Sequence, residues 1–167
     1  MDEAAKKTAL RMIPYGIYVL TARGSDGVVA AATVNWVTQT SFKPPLLAVG
    51  VKADSSAHAL VKATKAFALN VLGKGQQKLA FAFFKPAVLG EGTISGERFR
   101  PGATGAPLLE NAAAFVECRV VNAFEGGDHT LFLAEVVEAG VAKGPSGRPD
   151  DATLWMRELG DGVFYGG

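Results

Sequence analysis

The segment Ala31-Ala32-Thr33-Val34-Asn35-Trp36-Val37-Thr38-Gln39-Thr40-Ser41-Phe42 is followed by Lys43-Pro44-Pro45 and then by Leu46-Leu47-Ala48-Val49-Gly50-Val51. Two apolar runs therefore flank a dense row of hydroxyl and amide side chains, and the prolines break the chain between them. Thr, Asn, Gln and Ser supply donors and acceptors but no group charged at neutral pH. Such a row suits holding a polar ligand better than cleaving a bond. It reads as two strands bracketing a binding ledge.

The neighbouring segments continue the β pattern. Ile17 to Ala22 is a strand of branched and aromatic residues, and Gly24-Ser25-Asp26-Gly27 turns it into a second strand over 28–35, making a hairpin. Leu46 to Val51 and Phe67 to Leu72 are further strands. Val116, Cys118 and Val120 alternate with Glu117 and Arg119, the period of a half-buried strand. Residues 130–141 continue as a strand beyond Gly126-Gly127-Asp128, and a short one is expected near 153–157. Helices are expected over 3–11, stopped by Pro14, from Ser55-Ser56 onward, and over 76–84. Residues 86–114 are punctuated by Gly and Pro and predict little regular structure. Seven or so short strands with few helices predict a mainly β, antiparallel sheet, closed into a barrel that removes its exposed edges, with helices capping it. Strand and helix do not alternate regularly, which argues against a doubly wound nucleotide fold.

Composition narrows the function classes. The chain has 167 residues, 49% hydrophobic and 20% charged, and a formal net charge of +1. It is expected to form one domain over 1–167. Its dispersed charge gives no footprint for nucleic acid or an anionic membrane. Cys118 is the one cysteine, which excludes an internal disulfide and a cysteine-based zinc cluster and fits a buried small hydrophobe in a reducing compartment. The first residues lack a basic region followed by an apolar core, and no run approaches the roughly 20 apolar residues that span a bilayer, so a cytoplasmic location is expected.

Few residues point to acid–base chemistry. The two histidines, His58 and His129, lie in no zinc spacing and beside no nucleophile elbow. Ser55, Ser56 and His58, with Lys52 nearby, either cap a helix or form an anion site at its N-terminus. Asn70, in the middle of an apolar strand, either satisfies a neighbouring loop or meets a ligand. Gly127-Asp128-His129 is either a turn with a surface histidine or a cleft-facing imidazole able to bind a phosphate or steer a proton. Trp36, Phe83 and Phe84 are core residues or a stacking platform for a planar ligand.

Taken together, Pro14 to Thr21, Ala32 to Gln39, Ser41 to Leu46, Phe67 to Leu72 and Gly127-Asp128-His129 resemble the flavin reductase-like family of FMN-binding split barrels. Asn35-Trp36-Val37-Thr38-Gln39 and Glu117-Cys118-Arg119-Val120-Val121 are also similar to the flavin reductase module of some flavodiiron proteins. The resemblance implies a homodimeric six-stranded split barrel with FMN in a groove near the dimer interface. It implies that Thr33, Val34, Asn35, Trp36, Val37 and Thr38 lie against the ring and ribityl chain. Ser41, Lys52, Ser55, Ser56 and His58 would then serve the phosphate, and Asn70 and Val71 would flank the flavin. His129 would stand as the catalytic residue beside reduced nicotinamide or the flavin edge. No metal is implied.

The flavin itself would carry the hydride, which accounts for the missing acid–base pair. Three activities fit this reading. One is an NAD(P)H-dependent reductase, with NADH or NADPH as donor, that passes reduced flavin or electrons to a partner. The second is a flavoredoxin-like carrier reduced by a redox partner protein. The third is a non-enzymatic barrel whose ledge serves another ligand.

Overall fold

The computed structural model describes residues 1–142 and 144–166. In chain order its elements are α1 (Glu3–Arg11), β1 (Tyr18–Arg23), β2 (Val29–Val34), β3 (Val37–Ser41), β4 (Leu46–Lys52), α2 (Ser56–Thr64), β5 (Ala66–Val71) and α3 (Gln77–Ala82). Then follow β6 (Leu89–Gly90), β7 (Thr93–Ile94), β8 (Glu97–Pro101), β9 (Pro107–Leu109), β10 (Ala114–Glu125) and β11 (His129–Val141).

The main sheet has seven strands in the order β2-β1-β5-β10-β11-β4-β3, every neighbouring pair antiparallel. β2 and β3 stand at opposite ends of this order, yet only Asn35 and Trp36 separate them in the chain. A seven-stranded sheet laid flat is about 29 Å across at strand spacing, whereas three Cα–Cα steps reach about 11 Å. The sheet therefore rolls round until its two ends meet. The mainly β, antiparallel expectation matches this, but seven strands stand where six are implied, because the chain leaves strand geometry at Asn35-Trp36 and resumes it as β3.

Rolling gives the sheet an inside and an outside, and alternation along β1 fills both. Leu20 and Ala22 point into an inner cluster with Val49, Phe67, Leu69, Cys118 and Phe132, closed off by Ala57 and Val61 of α2. Val19 points outward, with Ile17, into a second cluster with Leu72, Phe83, Ile94, Leu109 and Leu154. Val19, Leu20, Thr21 and Ala22 are all fully buried, which explains why this strand lacks the polar–apolar alternation of a half-buried one. Burial pushes the Cys118 thiol up to about 12, with the charge of Glu117 adding to the effect, so this cysteine is an inert core residue.

Residues 86–114 depart from expectation. They form a second antiparallel sheet, in the order β6-β7-β8-β9, and lay Ile94 and Leu109 on the outer cluster. Its strands are too short to show a period in sequence, and buried polar groups on the barrel hold it instead. Asn70 is fully buried; its amide donates to the Val19 carbonyl at 3.1 Å and its oxygen accepts from the Leu109 N–H at 2.8 Å. The strand expected near 153–157 reduces to two single bridges, Gly16 with Trp155 and Gly73 with Thr153, and a 3-10 turn over Met156–Leu159. Leu154, between the bridges, is fully buried in the outer cluster, so packing rather than a ladder anchors this segment.

Glu117 is the buried charge of this junction, 1% exposed. Its carboxylate accepts from the Ala103 N–H at 2.9 Å, the Thr104 N–H at 2.8 Å and the Thr104 hydroxyl at 2.6 Å. Gly102 packs against the same carboxylate so closely that a Cβ there would collide with it. Burial works to raise the pKa of Glu117, but the Thr104 and Ala103 hydrogen bonds and the charge of Arg100 outweigh it and hold the group below the ordinary glutamate value of 4.5. A depressed carboxylate contributes stability above its unfolded pKa and loses it as pH falls through the lower folded value. Glu117→Gln is therefore expected to cost about 1–3 kcal/mol at pH 7. In urea titrations the gap to wild type should narrow as pH falls below the glutamate range; a gap that stays constant down to pH 3 would contradict the assignment.

Candidate functional site

The break between β2 and β3 opens a cleft in the barrel wall. Asn35 O accepts from the Val37 N–H at 3.0 Å and Trp36 O from the Gly50 N–H at 2.9 Å, so the two residues bridge the gap with the chain still tied to β4. Gly50 faces the indole; a Cβ there would lie 3.1 Å from Trp36 Cε3. Glycine at this position lets the tryptophan lie against the strand. The cavity that results has a volume of about 260 Å³, with Thr33, Val34 and Asn35 on one wall, Gly50, Val51, Lys52 and Ser55 on another, and Phe83, Phe84, Met156 and Tyr165 closing it.

Each wall has a local cause. The Thr33 hydroxyl donates to Ala80 O at 2.7 Å and its N–H to Phe83 O at 3.2 Å, which clamps α3 to the end of β2 and sets Phe84 at the rim. Phe84 is about half exposed and meets Phe81 edge-on at 5.1 Å between ring centres, while Phe83 is core. At the far end, Ser55 caps α2: its Oγ accepts from the His58 N–H at 3.1 Å and donates to Lys52 O at 2.7 Å. The positive end of the helix and the Lys52 ammonium thus share one end of the cleft, where an anion is favoured. Lys52 also pairs with Asp54 at 3.1 Å, and that contact raises its pKa.

His129 opens β11 opposite Lys52 and stacks at a tilt on Trp36, with ring centres 4.4 Å apart. Its Nδ1 lies 2.8 Å from Asp128 Oδ1 and its Nε2 lies 2.6 Å from the Tyr165 hydroxyl. A carboxylate only accepts, so Nδ1 carries a proton and Nε2 of the neutral ring accepts from the tyrosine. The hydrogen bond from His129 holds Asp128 below the usual carboxylate range. Burial raises the pKa of Tyr165, although Lys52 opposes it, so this tyrosine is a protonated donor at neutral pH.

Thr33, Val34, Asn35, Lys52 and Ser55 line one cleft, with Trp36 and His129 at its edge. The other sequence candidates lie elsewhere. Val37 and Val71 line a separate cavity of about 370 Å³ together with Tyr18, Leu46 and Val116. Thr38 is exposed; Ser56 alone among these stays near the cleft, exposed in the first turn of α2 next to Ser55. Ser41 pairs with Leu46 at one end of β4, while Ser55 lies beyond Lys52 at the other. Six residue steps of strand, about 20 Å, separate those ends, so Ser41 and Ser55 of one chain do not meet at one phosphate. His58 turns away from the cleft: its Nε2 lies 2.8 Å from Thr130 Oγ1 and its ring packs on the buried Phe132. Asn70 spends its amide on the β9 junction, the loop alternative of the sequence reading. Among the described residues no group of His, Cys, Asp and Glu is arranged to hold a metal ion.

Sequence reasoning missed Gly50, Met156 and Tyr165. The only signal for Tyr165 is the aromatic pair Phe164-Tyr165 within a Gly-rich stretch, and nothing local ties it to a histidine 36 positions earlier.

Comparison with known proteins accords with this geometry. The chain matches the flavin reductase like domain over residues 10–160. It is 38% identical over 133 residues to an NADH-dependent FAD reductase of Streptomyces globisporus, covering 75% of this chain and 69% of the relative. It is 33% identical over 144 residues to the reductase component of a 4-nitrophenol 4-monooxygenase/4-nitrocatechol 2-monooxygenase of Rhodococcus opacus, covering 86% and 75%. A putative diflavin flavoprotein of Nostoc sp. is 35% identical over 136 residues, but the chain spans only 24% of its length. Among solved structures, an NADH:FAD oxidoreductase of Streptomyces globisporus superposes with a TM-score of 0.72 at 32% identity, over 88% of this chain and 84% of that one. The flavin reductase of a Pseudomonas putida styrene monooxygenase superposes with a TM-score of 0.70 at 32% identity, over 81% and 85%. The chain belongs to the flavin reductase like domain family.

Proposed function

We propose that this protein is an NAD(P)H-dependent flavin reductase, in which the cleft between Thr33–Trp36 and Lys52–Ser55 holds FMN or a related flavin. The observation that carries the reading is one cleft with three kinds of wall. An uncharged polar ledge runs along Asn35 and Trp36, a cationic helix end lies at Lys52 and Ser55, and an oriented imidazole stands at the edge. The relatives named as flavin reductases support the activity. β2 and β3 read as two halves of one strand opened at Asn35-Trp36, so the seven strands make a six-stranded split barrel and the chain one flavin-binding domain.

The bound flavin supplies the hydride-accepting chemistry. Lys52 and the α2 N-terminus hold its phosphate. The Asn35 amide orients the polar part of the ring, and Val34, Phe84 and Met156 keep water from its faces. Asp128 fixes the tautomer of His129, which presents Nε2 to the edge where the nicotinamide arrives.

A homodimer is supported by the outer face of β10 and β11. Phe124 and Leu131 pair directly there and are 69% and 46% exposed, with Val121 and Val137 also exposed, an apolar patch suited to a second copy. A cytoplasmic location is part of this reading; no helix among the described residues is long and apolar enough to cross a membrane. The alternative of an electron carrier fed by a redox partner protein rests on one observation: Tyr165 covers the His129 ring nitrogen that a nicotinamide would approach.

The purified protein reconstituted with FMN is expected to be yellow and to bleach within seconds of anaerobic NADH addition. FMN that binds but stays oxidised would shift the assignment to the carrier, and failure to bind any flavin would overturn it. Lys52→Ala is expected to weaken FMN about 3- to 10-fold through loss of a charge-assisted contact, leaving riboflavin, which has no phosphate, unchanged. Equal weakening of both would remove Lys52 from the phosphate site.

A further inference from the structure

The segment Phe164–Gly166 lies across the cleft edge and engages the groups assigned to ligands. Tyr165 O accepts from Asn35 Nδ2 at 3.4 Å, and its hydroxyl bonds His129 Nε2. Its ring stands 5.4 Å from that of Trp36. Arg11 pins the segment from the other side, with its Nε donating to Gly166 O at 3.3 Å and its guanidinium 4.3 Å from the Phe164 ring centre. The Asn35 and Arg11 hydrogen bonds are long, and the short tyrosine–histidine bond is solvent-exposed.

One group under the segment is left unsatisfied. The Trp36 Nε1–H is buried with no hydrogen-bond partner among the described residues, and Gly166 lies directly over it. A Cβ on Gly166 would fall 3.2 Å from Trp36 Cζ2 and 3.5 Å from Nε1. An indole donor buried without an acceptor is costly, so the covered state is stabilised less than its contact area suggests.

We propose that Tyr165 and Gly166 hold the place of the nicotinamide, and that the carboxamide of the dinucleotide displaces them, its oxygen accepting from Trp36 Nε1–H. The incoming group matches what the segment vacates: a planar ring replaces the tyrosine ring beside Trp36, and an amide carbonyl satisfies the orphaned indole. Phe164–Gly166 is thus a strap that donor binding opens, and the apparent affinity for the donor is reduced by the fraction of molecules in which the strap is closed. This rests on the flavin reductase reading and identifies which residues gate its donor site.

Two variants loosen the strap by different means. Tyr165→Ala removes the ring and the His129 bond. Gly166→Ala adds a Cβ against Trp36 at a residue whose φ of 111° already disfavours side chains. With saturating FMN, both are expected to lower the KM for NADH, by about 3- to 10-fold if one hydrogen bond governs closure. A second readout needs no turnover. In the FMN-loaded wild type, NAD+ should move the Trp36 indole N–H resonance downfield, the peak being identified by its loss in Trp36→Phe. A KM that rises or stays unchanged in both variants, or saturation with NAD+ without movement of the indole peak, would overturn the strap. Absence of NADH oxidation in the wild type would overturn the reductase reading itself.

Discussion

The structure depends on one short link. β2 and β3 occupy opposite ends of the main sheet and are joined by Asn35 and Trp36 alone, so the sheet has to close, and the closing seam falls at those two residues. The link cannot carry a regular ladder, and an opening in the barrel wall results. The barrel core and the cleft are therefore products of the same constraint: the inner cluster forms because the sheet rolls, and the cleft forms where the rolled edges meet without zipping together.

Around that opening, buried polar groups do what apolar packing alone would not. Asn70 and Glu117 bind backbone groups of the small second sheet and fix it to the outer face of the barrel. Thr33 does the same for α3. Each satisfies donors or acceptors that would otherwise be buried and unpaired. The Thr33 bonds set Phe83 and Phe84 on the far wall of the cleft, where Met156 is held by the packing of Leu154. Trp36 Nε1 is the exception, a buried donor without a partner among the described residues, at the edge of the cleft.

How much of this could be read from sequence followed the range of each interaction. β1, β2, β4, β5, β10 and β11 were legible because alternation or a continuous apolar run announces a strand locally. The helix at 56–64 was legible through Ser55, which does cap it, and the one at 3–11 through its stop before Pro14, while its cap, Asp2, shows only in the structure. The strands within 86–114 were not, since two to five residues carry no period and their anchors, Asn70 and Glu117, are distant in sequence. The candidate residues fall together where one segment supplies them, as Thr33, Val34 and Asn35 do on one wall of the cleft. They do not fall together where two segments had to be placed relative to each other: Ser41 and Ser55 are separated by the length of β4, and His58 faces the core because the first turn of α2 points its third residue inward. Tyr165 was invisible because its meaning comes only from meeting His129.

The central claim, that the seam at Asn35-Trp36 is the flavin site, is tested most directly by hydrogen–deuterium exchange of the protein with and without FMN. New protection is expected to be confined to peptides covering Ala32–Trp36, Lys52–Ala57 and the start of β11. Protection appearing instead around Leu46, Val71 and Val116, which line the other cavity, would contradict it.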